Sequence, residues 1–285
     1  MGPRAKAPAG QSGSGETQRP QSSGAICPPE MHPDAERLEI IYRDSDLVVI
    51  NKPPGLLVHR SKIDRQETRF ALQLLRDQIG QHVFPVHRLD KPTSGLLVFA
   101  LNPEMAKRLA DQFARREVSK QYLAVVRGYA PGHGTIDHAL TEKRDPIADK
   151  RANTSKAPQE ALTHYRRLAQ IEWPVAVDRY PQARYSLVEL RPHTGRKHQL
   201  RRHMKHIGHP IIGDANHGKG VHNRFFAETL NCPRLLLACT GLSFDHRASG
   251  GSLSLRARPG VAFEGLLATF GWLKESGFND GGALP

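Results

Sequence analysis

Residues 85–95 run Pro85, Val86, His87, Arg88, Leu89, Asp90, Lys91, Pro92, Thr93, Ser94, Gly95, and lead directly into the apolar stretch Leu96, Leu97, Val98, Phe99, Ala100. Pro92 and Gly95 punctuate a turn, and five consecutive apolar residues are too few for a helix but suit a buried strand. The stretch therefore predicts a loop that ends in a tight turn and plunges into the core as a strand. At that junction it carries a single carboxylate, Asp90, between the cations Arg88 and Lys91, so the local charge favours the ionised form. An ionised carboxylate in such a place can serve as a nucleophile or base. It can equally be a turn residue that bonds nearby backbone N–H groups, as Thr93 and Ser94 also can.

The chain around this stretch has 285 residues and ample capacity for a core. Its 41 Lys and Arg against 28 Asp and Glu leave a net charge of +13. That excess points to an anionic partner, with nucleic acid ahead of an acidic membrane surface, or equally to mere solubility. No apolar run approaches membrane-spanning length, and residues 1–30 lack the apolar middle of a signal peptide. Cys27, Cys232 and Cys239 form no framework and no CxxC pair, which fits a reducing cytoplasm.

The order of elements is mixed. Residues 1–34, rich in Gly, Pro, Ser and Gln, are expected to form a disordered extension. Residues 38–42 and 47–51 read as a hairpin closed by Lys52-Pro53-Pro54-Gly55. Residues 67–79 and 103–116 read as amphipathic helices, the second with Pro103 in its first turn. Strands are expected at 120–128, 161–168, 185–190, 235–239 and 253–257, and helices at 194–207 and 261–273. Residues 141–160 read as an exposed insertion and 275–285 as a loose tail. Without strict strand–helix alternation the class is α+β, with one domain over 35–274.

Two further clusters carry chemistry. Tyr122 alternates with Ala124 and Val126 along its strand. On the residues alone it is either a core tyrosine with its hydroxyl at an edge or a ring that stacks on an extruded base. Residues 191–206 are strongly basic, and Leu200, Met204 and Ile207 mark one buried helical face. Lys197, Arg201 and Lys205 form a row beside that face. Arg201 borders it closely enough to be partly buried, and a buried Arg needs an anion, for which Asp90 is the choice. Thr194 is placed to cap the helix and Arg196 to meet a phosphate at its start. With Arg202 and Lys205 the basic row reads either as a solvated face or as a surface that binds nucleic-acid phosphates. His193, His198, His203, His206, His209, His217 and His222 crowd the same region, but without HExxH or CxxC they read as packing and RNA contacts, with no metal.

The three clusters together resemble the RluA-type pseudouridine synthases. His87-Arg88-Leu89-Asp90 with Thr93-Ser94-Gly95 resembles that family's catalytic motif, Lys120-Gln121-Tyr122 its second motif, and Thr194-Gly195-Arg196 with His198-Gln199-Leu200-Arg201 its third. The resemblance runs from about residue 38 to 271. It implies a single catalytic domain with a mixed, mainly antiparallel sheet flanked by helices and loops. It implies that Asp90 is the essential nucleophile, that Arg201 pairs with it, that Tyr122 stacks on the base, and that Arg88 holds the place of a flipped-out nucleotide. The reaction is an isomerisation of uridine and implies no cofactor. Further strings, including Arg76 to Phe84, Ile147-Ala148-Asp149-Lys150 and Thr163-His164-Tyr165-Arg166, resemble the branch that modifies uridine 65 of tRNA. The expected partner is tRNA, with no membrane and no obligatory protein partner, and the expected state is a monomer. A ribosomal-RNA synthase of the same family is the alternative, and a non-catalytic RNA-binding module a more distant one.

Overall fold

The computed structural model describes residues 37–60, 67–141 and 157–278, together with Gly2. The chain separates into two units, 1–35 and 36–285. The expected disordered extension and most of the insertion at 141–160 lie outside the described residues.

The described part of the second unit is built on a ten-stranded sheet. Its strands are β1 (Glu39–Arg43), β2 (Leu47–Lys52), β3 (Phe84–Pro85), β4 (Ser94–Ala100), β5 (Ser119–Arg127), β6 (His133–Asp137), β7 (Leu162–Trp173), β8 (Ala183–Pro192), β9 (Leu237–His246) and β10 (Gly251–Arg256). The order is β1-β2-β4-β9-β5-β8-β7-β6, with β3 added to β4 and β10 to β9. Every pairing is antiparallel except the short contact of β4 with β9. Five helices accompany the sheet: α1 (Ala71–Ile79), α2 (Pro103–Ala114), α3 (Gln199–His206), α4 (Gly220–Glu228) and α5 (Val261–Thr269). The α+β class and the mixed, mainly antiparallel sheet expected from the sequence are both present.

The parallel contact positions the rest. It pairs Ser94 with Ala238 and Gly95 with Cys239. Gly95 has φ 109°, and a Cβ there would stand 2.1 Å from the Cys239 carbonyl oxygen, so only glycine lets the two backbones meet. Through this contact one continuous row of paired residues crosses the sheet: Lys52, Gly95, Cys239, Tyr122 and Leu190. Residues opposite one another share a face. The row thus brings the segment behind the Asp90 loop alongside the Tyr122 strand, though the two are some thirty residues apart in sequence.

Burial follows the pattern of the strands. All of β4 is buried, as expected for a short apolar strand in mid-sheet. One core packs β2 and β4 against α1 and α2 through Leu47, Val49, Leu75, Leu97, Phe99 and Leu109. Another gathers Tyr185, Phe226, Phe263, Leu267 and Phe270 beneath α4 and α5. A third joins Val126, Val188, Leu190, Leu200 and Met204, and so seats α3.

Several elements differ from the sequence reading. The first helix begins at Ala71 because Phe70 is extended and bridges Leu57, while Ala71 and Leu72 donate to the carbonyls of Leu57 and Val58. Strand β6 and helix α4 were not expected. The tail expected to be loose from residue 275 is packed as far as Phe278, which is buried beside Arg256.

Candidate active site

The Asp90 loop joins β3 to β4 and is pinned at successive points. His87 is stacked on Phe113, ring centres 4.5 Å apart, and its Nε2 accepts the Val98 N–H at 3.0 Å. Burial, with the Lys120 charge adding to it, pushes His87 down to about 3, so the ring is neutral and carries its proton on Nδ1. Thr93 N–H donates to the Asp90 carbonyl at 3.0 Å and closes the turn that Pro92 shapes. The Lys91 carbonyl accepts from Gly55 N–H at 2.9 Å and from Lys52 Nζ at 3.2 Å. Lys52 is fully buried and also donates to the carbonyls of Pro53 and Leu56, both at 2.8 Å. Burial lowers it to about 7, with Arg234 adding and Asp90 opposing. Three carbonyl acceptors match the three N–H groups of an ammonium. Lys52, read from sequence as the end of a scaffold hairpin, is thus a clamp behind the Asp90 loop. Arg234 completes it, donating to Ser94 Oγ at 2.6 Å and to the Pro259 carbonyl at 3.0 Å.

Arg201 reaches Asp90 as expected, Nη1 to Oδ2 at 3.1 Å. Its main partner is a different residue. Arg201 Nε and Nη2 donate to Asp214 Oδ2 and Oδ1 at 2.7 and 2.8 Å, the two-pronged geometry of a guanidinium and a carboxylate. The Asp214 side chain is 0% exposed, that of Arg201 5% and that of Asp90 21%. Asp214 Oδ1 also accepts the backbone N–H groups of Asn216 and His217, both at 2.9 Å. Burial works to raise its carboxyl, but the Arg201 bonds and charge and the two backbone bonds prevail and hold it below its usual range. Arg201 is raised in turn, since Asp214 and Asp90 outweigh its burial. One buried carboxylate therefore fixes the guanidinium, which presents its remaining edge to the other. Gly213 makes this possible: its φ is 79° and a Cβ would lie 1.9 Å from the Arg234 carbonyl oxygen. Gly213-Asp214 stand outside the three motif clusters of the sequence. The signal available was the buried Arg, whose five donors exceed what one carboxylate can accept in the plane.

The helix expected at 194–207 begins only at Gln199, so Lys197 lies ahead of it and Thr194 does not cap it. The cap residue, His198, is left-handed at φ 54° and breaks the helix. The preceding turn is organised by Gln199 instead. Its Oε1 accepts from Thr194 Oγ1 at 2.7 Å and Arg196 N–H at 3.0 Å, while its Nε2 donates to the Leu162 carbonyl and to Thr163 Oγ1, both at 3.0 Å. Arg201 is buried rather than part of a solvated row, while Lys197 and Lys205 are exposed. Arg202 Nη1 donates to the Thr141 carbonyl at 2.9 Å.

These residues enclose a cavity of about 450 Å³, within the size range of small-ligand pockets. Arg88, Asp90, Tyr122, Arg196, His198 and Arg201 all line it, whereas Lys197, Arg202 and Lys205 do not. Tyr122 pairs with Cys239 across β5 and β9. Burial first, then Cys239 and Asp90, push its hydroxyl well above the usual tyrosine value. His198 stands in the wall, Nε2 3.9 Å from Asp90 Oδ2 and Nδ1 3.1 Å from His217 Nε2. Burial lowers it, against the pull of Asp90. Three more of the clustered histidines serve packing: His203 bonds Thr163 and the His138 carbonyl, His209 the Arg127 carbonyl, and His222 the Tyr185 hydroxyl. Among the described residues no group of three His, Cys, Asp or Glu side chains is placed to hold a metal ion, and no helix is long and apolar enough to cross a membrane.

The chain is 57% identical over 235 residues to tRNA pseudouridine synthase C of Pectobacterium carotovorum subsp. carotovorum, which covers 82% of this chain and 62% of that one. It therefore spans about three fifths of the length of that relative. It is 54% identical to tRNA pseudouridine synthase C of Yersinia pestis, over 82% of this chain and 91% of the relative. Among solved structures, human RNA pseudouridylate synthase domain containing 4 superposes with a TM-score of 0.60 at 27% identity, over 81% of this chain and 92% of that chain. Human RNA pseudouridylate synthase domain containing 1 gives 0.59 at 27% identity, over 78% and 84%. The RNA pseudouridylate synthase family matches residues 46–206, a span that begins in the turn before β2 and ends with α3. The chain belongs to the RNA pseudouridylate synthase family.

Proposed function

We propose that this protein isomerises uridine to pseudouridine in tRNA, at position 65, with Asp90 as the catalytic carboxylate. The observation that carries the reading is the convergence of Asp90, Tyr122 and Arg201 on one cavity, with Arg201 locked by Asp214 so that its free edge meets Asp90. The tRNA substrate is supported by the names of the curated relatives. Position 65 rests on the strings that resemble that branch.

In the reaction the C1′–N1 bond breaks, the uracil turns within the pocket, and C5 bonds to C1′. The C5 proton leaves and N1 gains one, so the composition of the nucleotide is conserved and no oxidant or reductant takes part. Asp90 acts on the ribose, either attacking C1′ or drawing off a sugar proton; both routes need its charged form beside the sugar. Arg201 orients it and supplies a fixed positive charge that needs no rearrangement during the reaction. Tyr122, whose hydroxyl holds its proton at neutral pH, stacks on the base rather than acting as a base itself. The target nucleotide leaves its helix at a cost of about a few kcal/mol. Arg88, exposed at the cavity, is placed to hold the flipped backbone. Arg196, Lys197, Arg202 and Lys205 position the RNA through phosphates, without reading its sequence. The same reading takes the protein to act as a monomer in the cytoplasm, without an obligatory protein partner.

The test is to map pseudouridine in the RNA of a strain lacking the protein. Loss at tRNA position 65, restored by the wild-type chain, is expected. Loss confined to ribosomal RNA would move the protein to another branch of its family.

A further inference from the structure

A carboxylate of the chain itself sits at the edge of the cavity in a setting suited to a phosphate. Arg116 follows the last turn of α2 at φ 64°, the left-handed conformation that helix ends ordinarily assign to glycine. Its guanidinium makes two parallel bonds to Glu160, Nη1 to Oε1 at 3.1 Å and Nη2 to Oε2 at 3.0 Å. Arg196 Nε donates to the Glu160 backbone carbonyl at 3.0 Å. The Arg116 hydrogen bonds and charge, helped by His193 and Arg196, hold the Glu160 carboxyl below its usual range. Arg116, His193 and Arg196 all line the cavity; Glu160 does not, and its side chain is 60% exposed.

Three cationic or protonatable side chains thus line the same cavity, and Glu160, just ahead of β7, gives its carboxylate to Arg116 and its backbone carbonyl to Arg196. A fork that holds two carboxylate oxygens fits two phosphate oxygens equally. An exposed ion pair contributes little to stability, so exchanging one anion for the other is easy. A backbone-strained Arg at a position where Gly is ordinary points to a use for its side chain. We propose that Arg116, with Arg196 and His193, forms a subsite for an RNA backbone phosphate next to the reacting nucleotide, and that Glu160 fills this subsite until RNA displaces it. The inference rests on the reading of the cavity as a uridine site.

The experiment measures tRNA binding across a range of salt concentrations for the wild-type chain, Glu160→Gln, Arg116→Gly and the double variant, with pseudouridine formation read on the same tRNA. Arg116→Gly relieves the backbone strain, so its fold is retained, which thermal melting checks. Glu160→Gln is expected to tighten binding several-fold, because the phosphate no longer competes with an internal carboxylate. Arg116→Gly is expected to weaken binding several-fold and to flatten the salt slope by roughly 0.7–0.9, the share of one phosphate contact. In the Arg116→Gly background, Glu160→Gln should recover little. Wild-type affinity in Glu160→Gln, or the same gain whether or not Arg116 is present, would overturn the subsite. The expected binding pattern without pseudouridine in the wild type would reject the isomerase reading and support the phosphate subsite; turnover with all affinities unchanged would reject the subsite alone.

Discussion

At the scale of single residues the site is governed by an arginine shared between two unequal carboxylates. The sequence made Asp90 the natural partner of Arg201, and the two are in contact. Asp214, 13 residues along the chain and outside the three motif clusters, makes the shorter and fully buried pair. The difference has a measurable consequence. Arg201→Met leaves Asp214 charged and buried, a penalty of about 3–5 kcal/mol. Adding Asp214→Asn should recover a substantial part of that loss, because no buried charge then remains unpaired. Adding Asp90→Asn instead should recover little, since solvent reaches Asp90. The two double-mutant cycles, read by urea denaturation, discriminate directly. Greater rescue by Asp90→Asn would mean that Asp90, not Asp214, is the principal counter-ion.

At the scale of elements, the hydrophobic pattern located β4, α2 and β5 closely because each is an apolar or amphipathic run with its own punctuation. α2 is the clearest case: Asn102 accepts from the Met105 N–H at 2.8 Å and Pro103 follows it. What escaped was structure set by tertiary contacts. β6 is short and polar, with one buried residue, so its strand character comes only from pairing with β7. α4 starts with Gly220 and has no capping side chain; His222 and Phe226 bury against Tyr185 and hold it. The start of α3 is set by the left-handed His198 and by the bonds of Gln199, which no periodicity records. Of the candidate site, the three motif residues were legible and the clamp behind them was not, because Lys52 and His87 act through backbone groups that sequence does not display. His87 carries a prediction at this scale. Its folded value of about 3 lies below the ordinary 6.5, so the neutral ring contributes stability that is complete above pH 6.5. That contribution is lost as the pH falls from about 6.5 toward 3. His87→Gln keeps an acceptor for the Val98 N–H but does not titrate. Its denaturation midpoint should vary less than that of the wild-type chain between pH 7 and pH 4. Equal pH dependence in both would show that His87 is protonated without cost.

The whole molecule brings a net charge of +13 to a polyanion. Exposed Arg88, Lys197 and Lys205, with Arg116 and Arg196 at the cavity and Arg202 on α3, offer about six cations to phosphates. With each worth roughly 0.7–0.9 in slope, log K for tRNA should fall against log salt with a slope of about −4.2 to −5.4. A response near zero from low to physiological salt would exclude electrostatic docking.

The sheet gathers three distant motifs around one carboxylate, and Asp90→Asn asks whether that carboxylate does the work. The substitution replaces one oxygen by an amide nitrogen at a partly exposed position, leaving the Arg201–Asp214 pair in place. Release of tritium from C5-labelled uridine in tRNA would be followed with the purified variant, alongside its affinity for the same RNA. The expected result is no detectable release at close to wild-type affinity. Release near the wild-type rate would contradict the assignment of Asp90 as the catalytic residue.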